Sequence, residues 1–446
     1  MDEPDTQLPA RMRVERSARR LRIAVVYSRL PFPMHRGDQL TVAHLIAFLS
    51  ERGHEADLIT LDMGGELDRR QWAWLGERCR DVTVFPQPRW RQALGVLSSL
   101  ITLRPLQVGL FSNARLDRLL DTRLRRGDYD IVYVYYLRSA YALRARFEPG
   151  STRTFSGTPV AAFLAMQLSQ TLNTRRIFEN QRPGPTKLAY GLEWRLLRRA
   201  EARLWRRFTH TLLIGEKDVE AVRRACEDER QPVISNWKYG AHGTDLSRFR
   251  VAAPAETVAD RIVFSGSMFY EPNCQAALWF VRSCWAAIRE AVPNATLYFV
   301  GRDPVREIRA LHGSDGITVT GTVADVGEYI RSARVCINPM LAAGGMQNKL
   351  IEYLASGVPV VATSVANEGI RAPDGEALLI RDGAEPFVAG VLDVLRSPEL
   401  AGALGRAGRH FVEQHWTWEA HFLRLEANFL GALEAEPVAS ANAPSR

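Results

Sequence analysis

The chain of 446 residues is predicted to be an α/β protein made of two Rossmann-like domains. Three observations lead there. Short, continuously apolar, β-branched runs alternate with amphipathic stretches from Leu21 onward, as parallel strands buried on both faces and joined by crossover helices do. The chain exceeds the ~250–300 residues that one core usually supports. Between the two alternating blocks, residues 241–260 shift to turn composition, with Gly243, Pro254 and no periodicity.

Composition narrows the class. An apolar fraction of 46% and a charged fraction of 24% are those of an ordinary globular protein. The longest uncharged apolar-leaning run, Ala93 to Leu103, is shorter than the ~18 residues of a membrane span. Residues 1–20 interleave acids with arginines and lack the apolar core of a secretory leader. They are expected to be disordered, and residues 434–446, rich in Ala, Pro and Ser, are expected to form a flexible tail. Five scattered cysteines without metal-ligand spacing fit a reducing, cytoplasmic setting and no metal site. A net charge of +8 favours anionic partners. No recognisable module interleaves that charge with aromatics, so nucleic acid is not expected among them.

The first domain is assigned to residues 21–240. Leu21–Tyr27 reads as its first strand, followed by a loop with Pro31, Pro33 and His35, then Gly37-Asp38 and an amphipathic helix. Gly37 would let the backbone approach a ligand, and Asp38 and His35 serve either a cleft or loop polarity and helix capping. Strands follow at Ala56–Leu61, Tyr129–Tyr135 and Thr209–Ile214, the last closing the domain. Residues 88–126 read as helical, and Gln167 to Asn173 as a polar patch. The helix at 191–208 carries six arginines against two glutamates. Together with Trp90–Arg104 it is a candidate for peripheral contact with an anionic membrane, or simply a solvated arginine face over a core.

The second domain, 241–418, opens with the strand Arg261–Phe264 and Gly266, and continues through strands at 296–300, 317–320 and 376–380. Its centre is residues 334–363: a strand, the loop Ala342–Gly345, a helix from Met346 to Ser356, Gly357, and a strand from Val358. Gly344 and Gly345 thus lie between a strand end and a helix start, where free N–H groups and the helix dipole favour an anion. Lys349 and Glu352 share a helix face there. A cation beside a carboxylate suits a ligand with phosphates and vicinal hydroxyls, such as a nucleoside diphosphate; alternatively the two form a solvent-facing pair.

The tandem layout and the run LeuIleGluTyrLeuAlaSerGlyValProValValAlaThr (350–363) resemble the family 4 glycosyltransferases of the GT-B fold. GlyGlyMetGlnAsnLys (344–349) is similar to the loop of bacterial exopolysaccharide-type sugar transferases. The resemblance implies two Rossmann-like domains facing a cleft, and a terminal helix (419–433) crossing back onto the N-terminal domain. It implies a nucleotide-sugar donor held by Gly266, Arg302, Val323, Gly344, Gly345, Lys349 and Glu352, with Glu352 on the ribose and Lys349 at the diphosphate. A glycan or lipid-linked acceptor would meet the first domain near Gly37 and Asp38. No cofactor or metal is implied, and retention at the anomeric carbon is expected. Two departures stand out. A glutamate common in relatives is replaced by Gly344, and no Arg/Lys pair follows the first strand of the second domain. A general base is not singled out. The alternatives are a GT-B protein that binds nucleotide without turnover and a nucleotide-dependent oxidoreductase. Absence of Gly-x-Gly-x-x-Gly after either opening strand weighs against the oxidoreductase.

Overall fold

A computed structural model describes residues 8–9, 12, 14–34, 37–65, 67–180, 183–240, 243–244, 246, 249–341 and 346–434. The chain divides into two units, Met1–His242 with His421–Arg446, and Gly243–Ala420. Each is an α/β layer with its own sheet.

The first sheet contains β1 (Arg22–Tyr27), β2 (Glu55–Asp62), β3 (Asp81–Pro86), β4 (Ile131–Tyr135), β5 (Arg153–Phe155), β6 (Thr158–Gln167), β7 (His210–Leu213) and β8 (Trp237–Tyr239). Its order is β3-β2-β1-β4-β6-β7-β8, with β5 antiparallel on β6 and the remaining pairs parallel. Every residue of β4 is buried, as helices on both faces require. Four strands, β3, β5, β6 and β8, are not among those expected from sequence. Eight of the ten residues of β6 are buried. Its alanines 161, 162 and 165 lower the β-branched content while fitting close under helices. β3 is only half-buried and lacks a clear apolar run. β8, three residues long, extends the sheet beyond β7, so the strand at 209–214 does not close it.

Residues 88–126 form three helices, Arg89–Thr102, Leu106–Leu110 and Ala114–Arg125. Within 1–20, the described part is not free of the fold. Met12 is buried and donates its N–H to Glu51, and Ser17 N–H donates to the Arg52 carbonyl. From His421 the terminal helix Trp418–Glu434 completes the first unit. Phe422 packs on Phe48 and Phe429 on Phe163, with ring centroids 5.4 and 4.8 Å apart. Glu426 accepts from Arg52 at 2.9 Å and contacts His54 Nε2 at 2.8 Å. Burial opposes its ionisation, but hydrogen bonds from Ser17, Arg52 and His54 hold its carboxyl below the usual range.

The second sheet comprises β9 (Arg261–Ser265), β10 (Thr296–Val300), β11 (Ile317–Gly321), β12 (Val335–Asn338), β13 (Val360–Ala362) and β14 (Leu379–Ile380). All pairs are parallel, in the order β11-β10-β9-β12-β13-β14. In both sheets the strand order reverses beside the first strand, between β1 and β4 and between β9 and β12. That reversal opens a crevice at the carboxyl ends of the strands, where such folds bind ligands.

Candidate functional site

In the second unit, the reversal between β9 and β12 carries a cleft of about 560 Å³. Three strands end in glycine at its edge. Gly266, Gly301 and Gly321 follow or finish β9, β10 and β11 at φ +143°, +154° and +68°, conformations that glycine tolerates and L side chains rarely adopt. A methyl at Gly301 would run into the Gly266 carbonyl, and one at Gly266 would lie 2.8 Å from Asn273 Nδ2 and 3.3 Å from Lys349 Nζ. Gly266 therefore makes room for the side chains behind it, and Gly301 for the Gly266 backbone. Tyr353, fully buried, fixes the end of β9 by accepting Ser265 N–H at 2.7 Å while its hydroxyl meets Ser265 Oγ at 2.9 Å.

The helix after β12, Asn348–Ala355, brings Lys349 and Glu352 into this cleft. It starts two residues later than the sequence suggests, because Met346 and Gln347 remain extended or irregular. Lys349 Nζ donates to Asn273 Oδ1 at 2.6 Å, lies 3.8 Å from Met340 Sδ and sits 4.5 Å above the Phe264 ring. Burial pushes its ammonium down to about 7, against a smaller opposing pull from Glu352. An amide, a thioether and an aromatic face are its immediate company. They orient the ammonium without neutralising it, so an anion entering the cleft meets an under-compensated charge.

Of the residues singled out in sequence, Gly266, Arg302, Val323, Lys349 and Glu352 line this one cleft. Arg302 is largely exposed and lies 3.9 Å from Asp303. Gly344, Gly345 and His35 lie outside the described residues. Asn273, Phe264 and Tyr353 were missed. Asn273 sits in GluProAsn at a helix start, where sequence suggests capping and only the fold reveals its reach to Lys349.

Gly37 and Asp38 occupy the corresponding crevice of the first unit, at the start of the helix Gly37–Glu51. A Cβ at Gly37 would meet nothing within 4 Å, so the folded chain itself does not demand glycine there. Asp38 is buried and paired, 2.8 Å from Arg138 and 3.6 Å from Arg29, while Arg138 Nε donates to Ser28 Oγ at 2.6 Å. Beside them is a cavity of about 480 Å³ lined by Tyr27, Ser28, Arg91, Arg104 and Arg138, among others.

The basic helix at 191–208 is Pro185–Leu204 followed by a tight turn. Its Leu196, Leu197, Ala200 and Leu204 are buried. Arg198 pairs with Glu229 and Asp228, and Arg199 with Glu229. This helix is thus packed on one side, with Arg198 and Arg199 paired and Arg195, Arg203 and Arg206 exposed. Among the described residues no group of three or more His, Cys, Asp or Glu could hold a metal ion, and no helix is long and apolar enough to cross a membrane.

Comparison with known proteins assigns both units. Residues 259–397 match the family described as glycosyl transferases group 1, and residues 36–237 the glycosyl transferase 4-like domain. The chain is 21% identical over 392 residues to an uncharacterized 44.6 kDa protein in the cps region of Klebsiella pneumoniae, covering 83% of this chain and 90% of that one. It is 29% identical over 163 residues to a GDP-mannose-dependent alpha-(1-6)-phosphatidylinositol monomannoside mannosyltransferase of Mycolicibacterium smegmatis, a match spanning 33% of this chain and 43% of the relative. The structure of Anabaena HepE in complex with UDP and glucose superposes with a TM-score of 0.54 at 13% identity, covering 92% and 99% of the two chains. With both of its units matched and the two sheets in place, the chain belongs to the glycosyltransferases of the GT-B fold, of the family 4 type.

Proposed function

We propose that this glycosyltransferase moves a sugar from a nucleoside diphosphate sugar to a hydroxyl of a glycan or lipid-linked glycan, without a metal ion and with retention at the anomeric carbon. The observation that carries this reading is Lys349. It is a partly buried ammonium at a strand-order reversal, held by a neutral amide beside a glycine-lined cleft. When the bond between the anomeric carbon and the diphosphate breaks, the electron pair stays on the phosphate oxygen. A cation and N–H donors already in position stabilise that charge without reorganising. In this reading Glu352 accepts from the ribose hydroxyls, Gly266 and Val323 let the nucleotide lie against backbone, and Arg302 swings onto the phosphates.

HepE, crystallised with UDP and glucose, and the mannosyltransferase, dependent on GDP-mannose, support a nucleotide-sugar donor and leave the base open. The relative in the cps region supports an exopolysaccharide product. Free cysteines at 79, 226, 274, 284 and 336 support a cytoplasmic location, which in this reading is at the inner face of the membrane. The deciding experiment is a thermal-shift screen against UDP, GDP, TDP and their sugars, followed by nucleotide release with acceptor extract. One nucleotide class should raise the melting temperature, and its sugar should be consumed when acceptor is present. Tight binding without turnover would favour the non-catalytic alternative, to which the glycine at 344 lends some weight. No shift with any nucleotide would remove the reading.

A further inference from the structure

The helix Arg89–Thr102 is covered along one narrow line only. It packs on Leu106–Leu110 through Gly95 and Gly109, which approach so closely that a methyl on either would collide with the carbonyl of the other. Ser99 is its one buried residue. The outer side is apolar and bare: Trp90, Leu94, Leu97, Leu100, Ile101 and Leu103 are each between 43% and 76% exposed. Trp90, Leu94, Leu97 and Ile101 follow one another at helical spacing and so form a single stripe.

Two further features show that this stripe is not a random apolar surface. Leu103 ends the helix in the left-handed region, at φ 51°. Glycine would adopt that conformation at lower cost, yet the position presents an exposed leucine. From residue 89 to 104 there is no Asp or Glu, while Arg89, Arg91 and Arg104 flank the stripe. Arg91 lies 5.1 Å from the Trp90 ring centroid. Aromatic and aliphatic residues bounded by cations match an interface with apolar chains inside and anionic groups at its edge.

We propose that the helix Arg89–Thr102 docks on an anionic lipid surface, with Trp90, Leu94, Leu97, Ile101 and Leu103 in the apolar layer and the exposed Arg89 and Arg104 at the head groups. This surface is separate from the basic helix at 191–208, where Arg198 and Arg199 are paired with acids. The same helix walls the 480 Å³ cavity of the first unit through Arg91, Gly95 and Ser98, and Trp90 and Leu94 of the stripe border that cavity as well as solvent. The inference does not rest on the transfer reading, since docking and donor binding are measured separately.

The test is flotation of the full chain with phosphatidylcholine vesicles, with and without phosphatidylglycerol, at low and high salt. Binding is expected only with phosphatidylglycerol and should weaken with salt. Leu97→Asp together with Ile101→Asp should lower partition about tenfold or more, because two buried aliphatic side chains are lost. The melting curve should stay unchanged, as both residues are exposed. Leu423→Asp, at another exposed leucine, should leave binding as it is. Absence of binding at low salt would overturn the proposal, as would binding by the double variant equal to that of the parent, or an equal loss in Leu423→Asp. So would a parent dimer that the double variant converts to monomer, which would assign the stripe to a second copy of this chain.

Discussion

The two units follow one plan and treat the charge at its centre in opposite ways. In each, the helix after the first strand and the helix after the fourth meet where the strand order reverses. In the first unit these helices supply Asp38 and Arg138, 2.8 Å apart. In the second they supply Asn273 and Lys349, 2.6 Å apart. A carboxylate pairs with the cation in one, shared with Arg29, and Ser28 accepts from Arg138. An amide only orients it in the other. The first arrangement sets two guanidiniums on one buried carboxylate, and the second sets an ammonium on an amide with the Glu352 carboxylate as a weaker influence; under the proposed function only the second takes the diphosphate.

The largest expected effect is a difference in stability. Arg138→Met removes one of the two arginines on the buried Asp38 and the charge-assisted bond at 2.8 Å, and should cost about 1.5–3 kcal/mol, seen as a fall of several degrees in the unliganded melting transition. Lys349→Met removes an ammonium that burial disfavours, so the same measurement should show no fall and a rise of a few degrees. Unfolded, that lysine titrates near its ordinary ~10.4; folded, it titrates at about 7. The unfolded chain therefore binds more protons between those values, and the residue's unfavourable contribution is fullest below pH 7 and fades as pH rises. The gain from Lys349→Met should follow that trend. A destabilised Lys349→Met would place the lysine with Arg138 as a structural group.

Next in size is nucleotide affinity. Lys349→Met should weaken binding of the preferred nucleotide roughly 10- to 100-fold by calorimetry, the loss of a charge-assisted contact. Asn273→Asp should convert the second site toward the first: a higher unliganded melting temperature and weaker nucleotide binding. Parent affinity should be highest below about pH 7 and decline above it, with proton uptake on binding, because a diphosphate favours the charged lysine. Asn273→Asp should flatten that profile near neutral pH by keeping the lysine charged. An unchanged profile and affinity would break the comparison. Smallest is Glu352→Gln, expected to weaken nucleotide binding roughly tenfold with no change in the unliganded melting curve, since Glu352 is only partly buried.

Much of this was legible in the sequence, and the exceptions have physical causes. β1, β4, β9, β10 and β12 announce themselves because burial on both faces demands unbroken apolar runs. β6 hides because alanines answer the same demand by being small. Lys349 and Glu352 are legible since strand, loop and helix fix their place locally, and Gly266 since it ends a strand. Asn273 and Tyr353 act across the fold, 76 and 88 residues from the partners they hold, and no local pattern encodes such a meeting. The arginines of 191–208 left two readings open in composition, a lipid contact or a solvated face over a core, and acids distant in sequence, Asp228 and Glu229, engage two of them.

The stretch from His421 to the end of the terminal helix carries a consequence for synthesis. The first unit cannot finish its core until Phe422, Glu426 and Phe429 have emerged, although residues up to His242 appear long before. The second unit is continuous and is complete at Ala420. Domains generally fold as they leave the ribosome, the earliest first; here the earlier one must wait, with Phe48 and Phe163 uncovered, while the later one is made. A nascent chain stopped near residue 420 would therefore hold a protease-resistant second unit beside an unfinished first.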